Sequence, residues 1–174
     1  MTGSFLAAVL EMITAPAHVL GIVALGLLAG PCSGRWHASV VAPFTIGMVP
    51  GLAAVAAGFS QSSAGDVLLA IAGVTAALVI VGKPLPFFVS SALAFTGGMA
   101  LGLDIAPQAI SIRIAIATMI VAAVVVVLGF AAFASLAAHT TRDWQRIGVR
   151  IVASWIAATV VLVLALRFAR GQLL

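Results

Sequence analysis

The sequence predicts an all-α membrane protein, a compact bundle of about six transmembrane helices forming one domain over residues 1–174. Three observations carry that expectation. Of 174 residues, 64% are hydrophobic and only 7% are charged, against roughly a quarter charged in soluble domains. Mean hydropathy is +1.31. Apolar runs of spanning length recur along the chain, separated by short breaks that carry Gly, Pro or charge. Eight basic and four acidic side chains cannot cover a soluble surface of this size, so the solvent must be mostly lipid. A span takes about 20 apolar residues, which leaves no room for a separate soluble domain.

The elements follow in order, with ends good to about two to four residues. The first apolar region is broken by Glu11 and Pro16, and a proline removes a helix hydrogen bond. It therefore reads as a short helix over 4–14, lying at the outer surface, and a span over about 16–30. Gly30-Pro31-Cys32-Ser33-Gly34 turns the chain into a second span, 37–58, which contains Pro43 and Pro50. After a polar loop from Ser60 to Gly65, the third span runs over 66–82 and stops at Gly82-Lys83-Pro84. The fourth, 85–103, closes at Asp104-Ile105-Ala106-Pro107. The fifth, 110–138, is longer than a bilayer requires and should tilt or protrude. His139 to Arg150 is the most polar segment, with Asp143 assigned to a solvated loop, and the sixth span is 151–168.

The net charge of +4 comes from basic residues at span ends. No basic run or basic-aromatic patch is present, which argues against nucleic acid as a partner. Six spans put Arg35, Lys83, Arg142, Arg146 and Arg150 on one side and Arg113, Arg167 and Arg170 on the other. The positive-inside rule makes the five-residue side cytoplasmic, so both termini are expected outside the cytoplasm, as in a bacterial inner membrane protein. The N-terminus does not read as a cleavable signal, because Met1 to Ser4 has no basic residue and Glu11 interrupts the apolar stretch. Cys32 is alone and forms no intramolecular disulfide.

That orientation gathers Glu11, His18, Asp66 and Asp104 near the outer face, on the ends of different helices. They are four of the seven acidic or imidazole side chains. An ionisable group at membrane depth is by default a functional candidate, and imidazole is the commonest biological metal ligand. Each residue also has a plainer reading. His18 is then an interfacial histidine, Asp66 a cap of the third span, and Glu11 a solvated residue of a surface helix. Asp104 ends a span, where a carboxylate gains nothing from the helix dipole, and its plainer reading is an ion pair with Arg113. Met12, Met48, Met99 and Met119 offer thioethers suited to cuprous copper, although scattered methionines in membrane helices usually serve packing. His37 and His139 read as solvated. With no Ser-His-Asp set, HExxH, CxxC or phosphate loop in the sequence, no enzymatic activity is expected. Gly26/Gly30, Gly47/Gly51 and Gly98/Gly102 each place two glycines one turn apart, serving a close-packed bundle or docking another subunit.

The order of these motifs resembles the HupE/UreJ family, small membrane proteins associated with nickel supply to hydrogenase and urease. Ala17-His18-Val19-Leu20-Gly21-Ile22-Val23-Ala24-Leu25-Gly26-Leu27 is similar to the family's first-helix motif, H-P-x-x-G-x-D-H-x-L-A-M-x-x-V-G-L. The likeness continues through Pro43 to Gly51 and through Gly65-Asp66. It closes with Gly98-Met99-Ala100-Leu101-Gly102-Leu103-Asp104-Ile105-Ala106-Pro107, set against H-G-H-A-H-G-x-E-x-P. His18 and Asp104 keep family positions. Ala17 and Glu11 replace an acid and the opening histidine, Gly97, Met99 and Leu101 replace three histidines, Val121 replaces another, and the N-terminal residues do not read as the family's signal peptide.

The resemblance implies a divalent-metal permease for nickel or cobalt, with a depleted outer-face site of His18, Asp104, Asp66 and Glu11. Nickel would be cargo, and no bound cofactor is expected beyond it. The alternative, favoured by the lost histidines and the glycine faces, is a non-transporting accessory subunit that packs against other membrane protein subunits in the lipid bilayer.

Overall fold

Six helices make up the described part of the chain, which in this computed structural model comprises residues 16–29, 36–58, 64–82, 86–105, 112–140 and 143–171. They are α1 (Pro16–Ala29), α2 (Trp36–Ala56), α3 (Ala64–Val81), α4 (Phe87–Asp104), α5 (Ile112–Ala138) and α6 (Asp143–Gly171). No strand occurs among the described residues. The expected short helix over 4–14 lies outside them.

α1 is the hub. It packs against α3, α4, α5 and α6, and Ala24, Leu25, Leu28 and Ala29 are almost completely buried. A helix apolar on every side belongs in the middle of the bundle. α3 pairs most extensively with α6, and α2 with α4. Phe44 of α2 stacks on Phe130 of α5 with ring centroids 4.2 Å apart.

The α2·α4 seam is built from glycine. A Cβ on Gly102 would lie 2.6 Å from the Met48 carbonyl oxygen and 3.1 Å from Gly51 Cα. A Cβ on Gly47 or Gly98 would strike the carbonyl of Phe95 or Phe44, respectively. Gly26 does the same service between α1 and α5, where an added Cβ would lie 2.6 Å from Phe133 Cβ. These faces are spent inside the chain. The exposed docking face that two of the pairs offered in the sequence is therefore absent; Gly30 lies outside the described residues.

Four helices are long and apolar enough to cross a membrane, at Ala64–Val81, Phe87–Asp104, Ile116–Ala138 and Trp144–Ala169, and two shorter apolar helices accompany them. On α5, Ile116, Ile120, Val124, Leu128 and Leu136 face outward while Val126, Phe130 and Ala134 face the core. Both stripes are apolar, as lipid on the outside requires. Hydroxyls tell the same story: Thr45, Thr75, Thr96 and Thr159 each donate to the carbonyl four residues back, which satisfies them where no water is available. The chain is an integral membrane protein.

The helix ends depart from the apolar runs in one substantial place. The expected span over 151–168 is the later part of a 29-residue helix that starts at Asp143, so Asp143 opens α6 and is not in a loop. Charged side chains such as Arg146 and Arg150 end an apolar run but leave backbone hydrogen bonding untouched, so the membrane helix continues into the polar region. α3 starts two residues early, which puts Asp66 inside its first turn and not at the cap. Its other end is as expected: Gly82 adopts φ +65, and its N–H donates to Leu78 O at 3.2 Å, closing the helix with a left-handed glycine.

Candidate functional site

The odd-numbered helices run one way and the even-numbered the other, so the starts of α1 and α3 meet the ends of α4 and α6. His18 lies in the first turn of α1, Asp66 in the first turn of α3, Asp104 at the last residue of α4 and Arg167 near the end of α6. Two contacts tie them together. His18 Nε2 lies 3.0 Å from Asp104 Oδ2, and Arg167 Nη1 donates to Asp66 Oδ1.

The first contact is the unusual one. His18 is only 9% exposed, flanked by buried Ala17 and, a turn further in, by Gly21 packed on Leu68. Asp104 is partly covered, its side chain 24% exposed, with Leu101 and Ile105 buried beside it. The carboxylate oxygen is at ion-pair distance but off the line of the ring N–H, and neither ring nitrogen has a hydrogen-bond partner among the described residues. A buried imidazole normally finds a partner, because an unsatisfied buried polar atom costs about 1–3 kcal/mol. Nε2 is thus a covered ring nitrogen whose nearest polar neighbour is the Asp104 carboxylate.

The second contact is looser. The Asp66 and Arg167 side chains are each about half exposed, so the pair adds no more than about 1 kcal/mol to stability. It does, however, set the charge of the site. Gly65 brings the two pairs together: the point a Cβ on Gly65 would occupy is 3.5 Å from both Arg167 Nη1 and Asp104 Oδ1. Two carboxylates against one guanidinium leave a single net negative charge when His18 is neutral.

Of the four residues expected to form the site, the structure brings His18 and Asp104 into contact across the bundle and Asp66 to the same end. Glu11 lies outside the described residues, as does the side chain of Arg113, the other partner considered for Asp104. Among the described residues no group of three or more His, Cys, Asp or Glu is arranged to hold a metal ion. Met48 is buried in the α2·α4 seam while Met99 is exposed on the outer surface, so these two thioethers do not converge. No family model, curated protein or solved structure matches the chain.

Arg167 is the residue that sequence reasoning missed. Its signal was present: the parity of the spans put Arg167 on the same face as Asp66 and Asp104, as one of three arginines there with Arg113 and Arg170.

His139 sits at the opposite end and is exposed. Its Nδ1–H donates to Ser135 O at 2.7 Å. There it lines a shallow open hollow with Leu136, Trp144 and Gly148.

Proposed function

We propose that the protein is a divalent-metal permease of the HupE/UreJ type, with six membrane spans in a bacterial inner membrane and both termini outside the cytoplasm. His18 and Asp104 are the core of its outer-mouth site. One observation carries this reading: His18 Nε2 and Asp104 Oδ2, 86 positions apart in the sequence, lie 3.0 Å from each other, and the buried imidazole has no hydrogen-bond partner among the described residues. Imidazole nitrogen with carboxylate oxygen is a donor set that nickel accepts. Two neighbouring donors on one ion at about 2.1 Å stand about 3 Å apart, so the pair is spaced to share a cation. Positions 97, 99 and 101, where the family has histidines, hold Gly97, Met99 and Leu101, and the cation would be held by few ligands, as suits cargo that must leave again.

The test is nickel and cobalt accumulation in a transport-deficient host. His18→Ala and Asp104→Ala should each lower accumulation without lowering the amount of protein in the membrane. Asp143→Ala, at the far end of α6, should not. A wild-type chain that confers no uptake sinks the permease.

A second reading, a non-transporting accessory subunit of a membrane complex, is favoured by the Arg167 guanidinium beside the carboxylates, which opposes cation binding. With Gly26, Gly47, Gly51, Gly98 and Gly102 committed inside the bundle, such a subunit would dock through its outward apolar surface. It predicts a stoichiometric partner on purification, unaffected by His18→Ala.

A further inference from the structure

The hub helix is not fully enclosed. Around α1 the described helices form a ring, in which α6 packs on α3, α3 on α4, α4 on α2 and α2 on α5. The ring is open between α5 and α6, which follow one another in the chain yet scarcely touch. α1 shows through that opening. Val19 is 39% exposed, and Ile22 and Val23, three and four residues on and so on the same face, are partly covered, whereas Ala24, Leu25, Leu28 and Ala29 are buried. On the α5 side of the opening an added Cβ at Gly129 would meet only Ile22 Cγ2, at 3.6 Å. Where α5 passes into α6, the opening runs into the hollow described above, about 470 Å³ in volume, with Leu136 and His139 on one wall and Trp144 and Gly148 on the other.

We propose that this opening is the seat of one phospholipid, its phosphate at the hollow and an acyl chain lying along α1. Depth is the first argument. Gly148 and Trp144 precede Arg150 on α6, and the Arg150 guanidinium lies against Gly82 at the end of α3. At 1.5 Å per residue the hollow stands about 3–9 Å beyond that level, where lipid headgroups lie. Its polar groups are turned onto their own helix: Ser135 Oγ donates to Ala132 O, Thr140 Oγ1 to Ala137 O and His139 Nδ1 to Ser135 O. The walls therefore present mostly carbon, and an exposed tryptophan such as Trp144 is at home at the membrane interface. Charge agrees, because His139 to Arg150 carries Arg142, Arg146 and Arg150 against Asp143 alone, an excess that attracts phosphate at this depth. A partner helix suits the place less well. A rigid cylinder about 10 Å across cannot enter a cleft whose two walls are joined at one end, whereas an acyl chain can. The lipid covers the one face of α1 that the described helices leave open, and so braces the helix that carries His18. This inference goes beyond both functional readings and depends on neither.

The experiment is native mass spectrometry of the full-length chain, purified in mild detergent, stripped of lipid and titrated with dioleoyl phosphatidylglycerol. Wild type should keep one phospholipid per chain under activation that removes any others. Gly148→Leu puts a side chain into the hollow, where nothing stands within 4 Å of an added Cβ, and should lower the retained fraction by about fivefold or more. Trp144→Ala removes one wall and should act in the same direction; its side chain is exposed, so it decides the matter if Gly148→Leu is not recovered folded. Ser154→Leu, turned about 240° around α6 from Gly148, should keep the lipid as wild type does. Retention that is equal in all four chains, or absent from wild type, overturns the seat. So does a wild-type dimer that Gly148→Leu dissociates, because the occupant is then a second copy of the chain.

Discussion

Gly102→Ala tests the packing on which the site depends, and its size can be worked out from the seam. The new methyl would sit 2.6 Å from the Met48 carbonyl oxygen and 3.1 Å from Gly51 Cα. A comfortable C···O contact is about 3.3–3.6 Å, so α2 and α4 must part by somewhat less than 1 Å. The obstacle is backbone on both sides, and no rotamer change relieves it. Overpacking of this kind costs about 1–3 kcal/mol, and parting the helices by 0.5–1 Å also forfeits roughly a quarter to a half of each dispersion contact along the seam. Against this stands the helix preference for Ala over Gly, about 0.5–1 kcal/mol. The net expectation is a loss of about 1–2 kcal/mol. Gly148→Ala in α6 is the matched control, because nothing lies within 4 Å of the added methyl, and it keeps the propensity gain of about 0.5–1 kcal/mol. Heating the solubilised chains at one fixed rate, with folded protein followed by size exclusion, should place Gly148→Ala highest and Gly102→Ala lowest. At about 2–4 °C per kcal/mol, the two midpoints should differ by roughly 4–10 °C. A Gly102→Ala chain as stable as the Gly148→Ala chain would show that the seam does not hold α2 to α4.

Two further outcomes are expected. In a Cys32→Ala background, a cysteine placed after Gln172 should react with a membrane-impermeant thiol reagent on intact cells; labelling only after lysis reverses the orientation and puts the His18–Asp104 site on the cytoplasmic side. A double-mutant cycle over His18→Ala and Asp104→Asn, read as unfolding midpoints, should give a favourable coupling of about 0.5–3 kcal/mol, as for contacting groups in a shielded place, and strictly additive losses would mean that the two side chains are neighbours without interacting.

Much of this architecture was legible because lipid imposes a simple rule. Apolar runs bounded by Gly82-Lys83-Pro84 or by Asp104 located α3 and α4 to within two residues. The parity of the spans was enough to put His18, Asp66 and Asp104 at one end. α6 was shortened because hydropathy reads side chains, whereas the helix is held by backbone groups that Arg146 and Arg150 do not disturb. Partners were less legible than places. Nothing in the spacing says that Gly47 and Gly51 meet Gly98 and Gly102, or that Asp104 finds His18, since those depend on how helices rotate about their axes. The glycine pairs announced close approach correctly while leaving open whether the approach was to this chain or another.

Two arginines of α6 fix where the site sits relative to the membrane. Arg167 bonds Asp66 at the start of α3, and Arg150 lays its guanidinium against Gly82 at the end of α3, where free carbonyls favour a positive charge. At 1.5 Å per residue, about 24 Å of axis separates Asp66 from Gly82 and about 26 Å separates Arg150 from Arg167. The two antiparallel helices are therefore in register at both ends, and their charges bracket an apolar slab slightly thinner than the roughly 30 Å hydrocarbon core. The His18–Asp104 pair belongs to the charged layer that holds Asp66 and Arg167. It stands at a membrane boundary and not at the midplane, in a place where water can reach Asp66 and Arg167 while His18 stays covered. Toward the other charged layer, the buried hydroxyls of Thr75 and Ser90 donate to Ile71 O and Pro86 O of their own helices, which satisfies their protons inside the apolar slab. On the permease reading proposed above, a site so placed would take up its cation at that membrane boundary, and movement of α1 against α4, the helices that carry His18 and Asp104, would be the step that lets the ion go further.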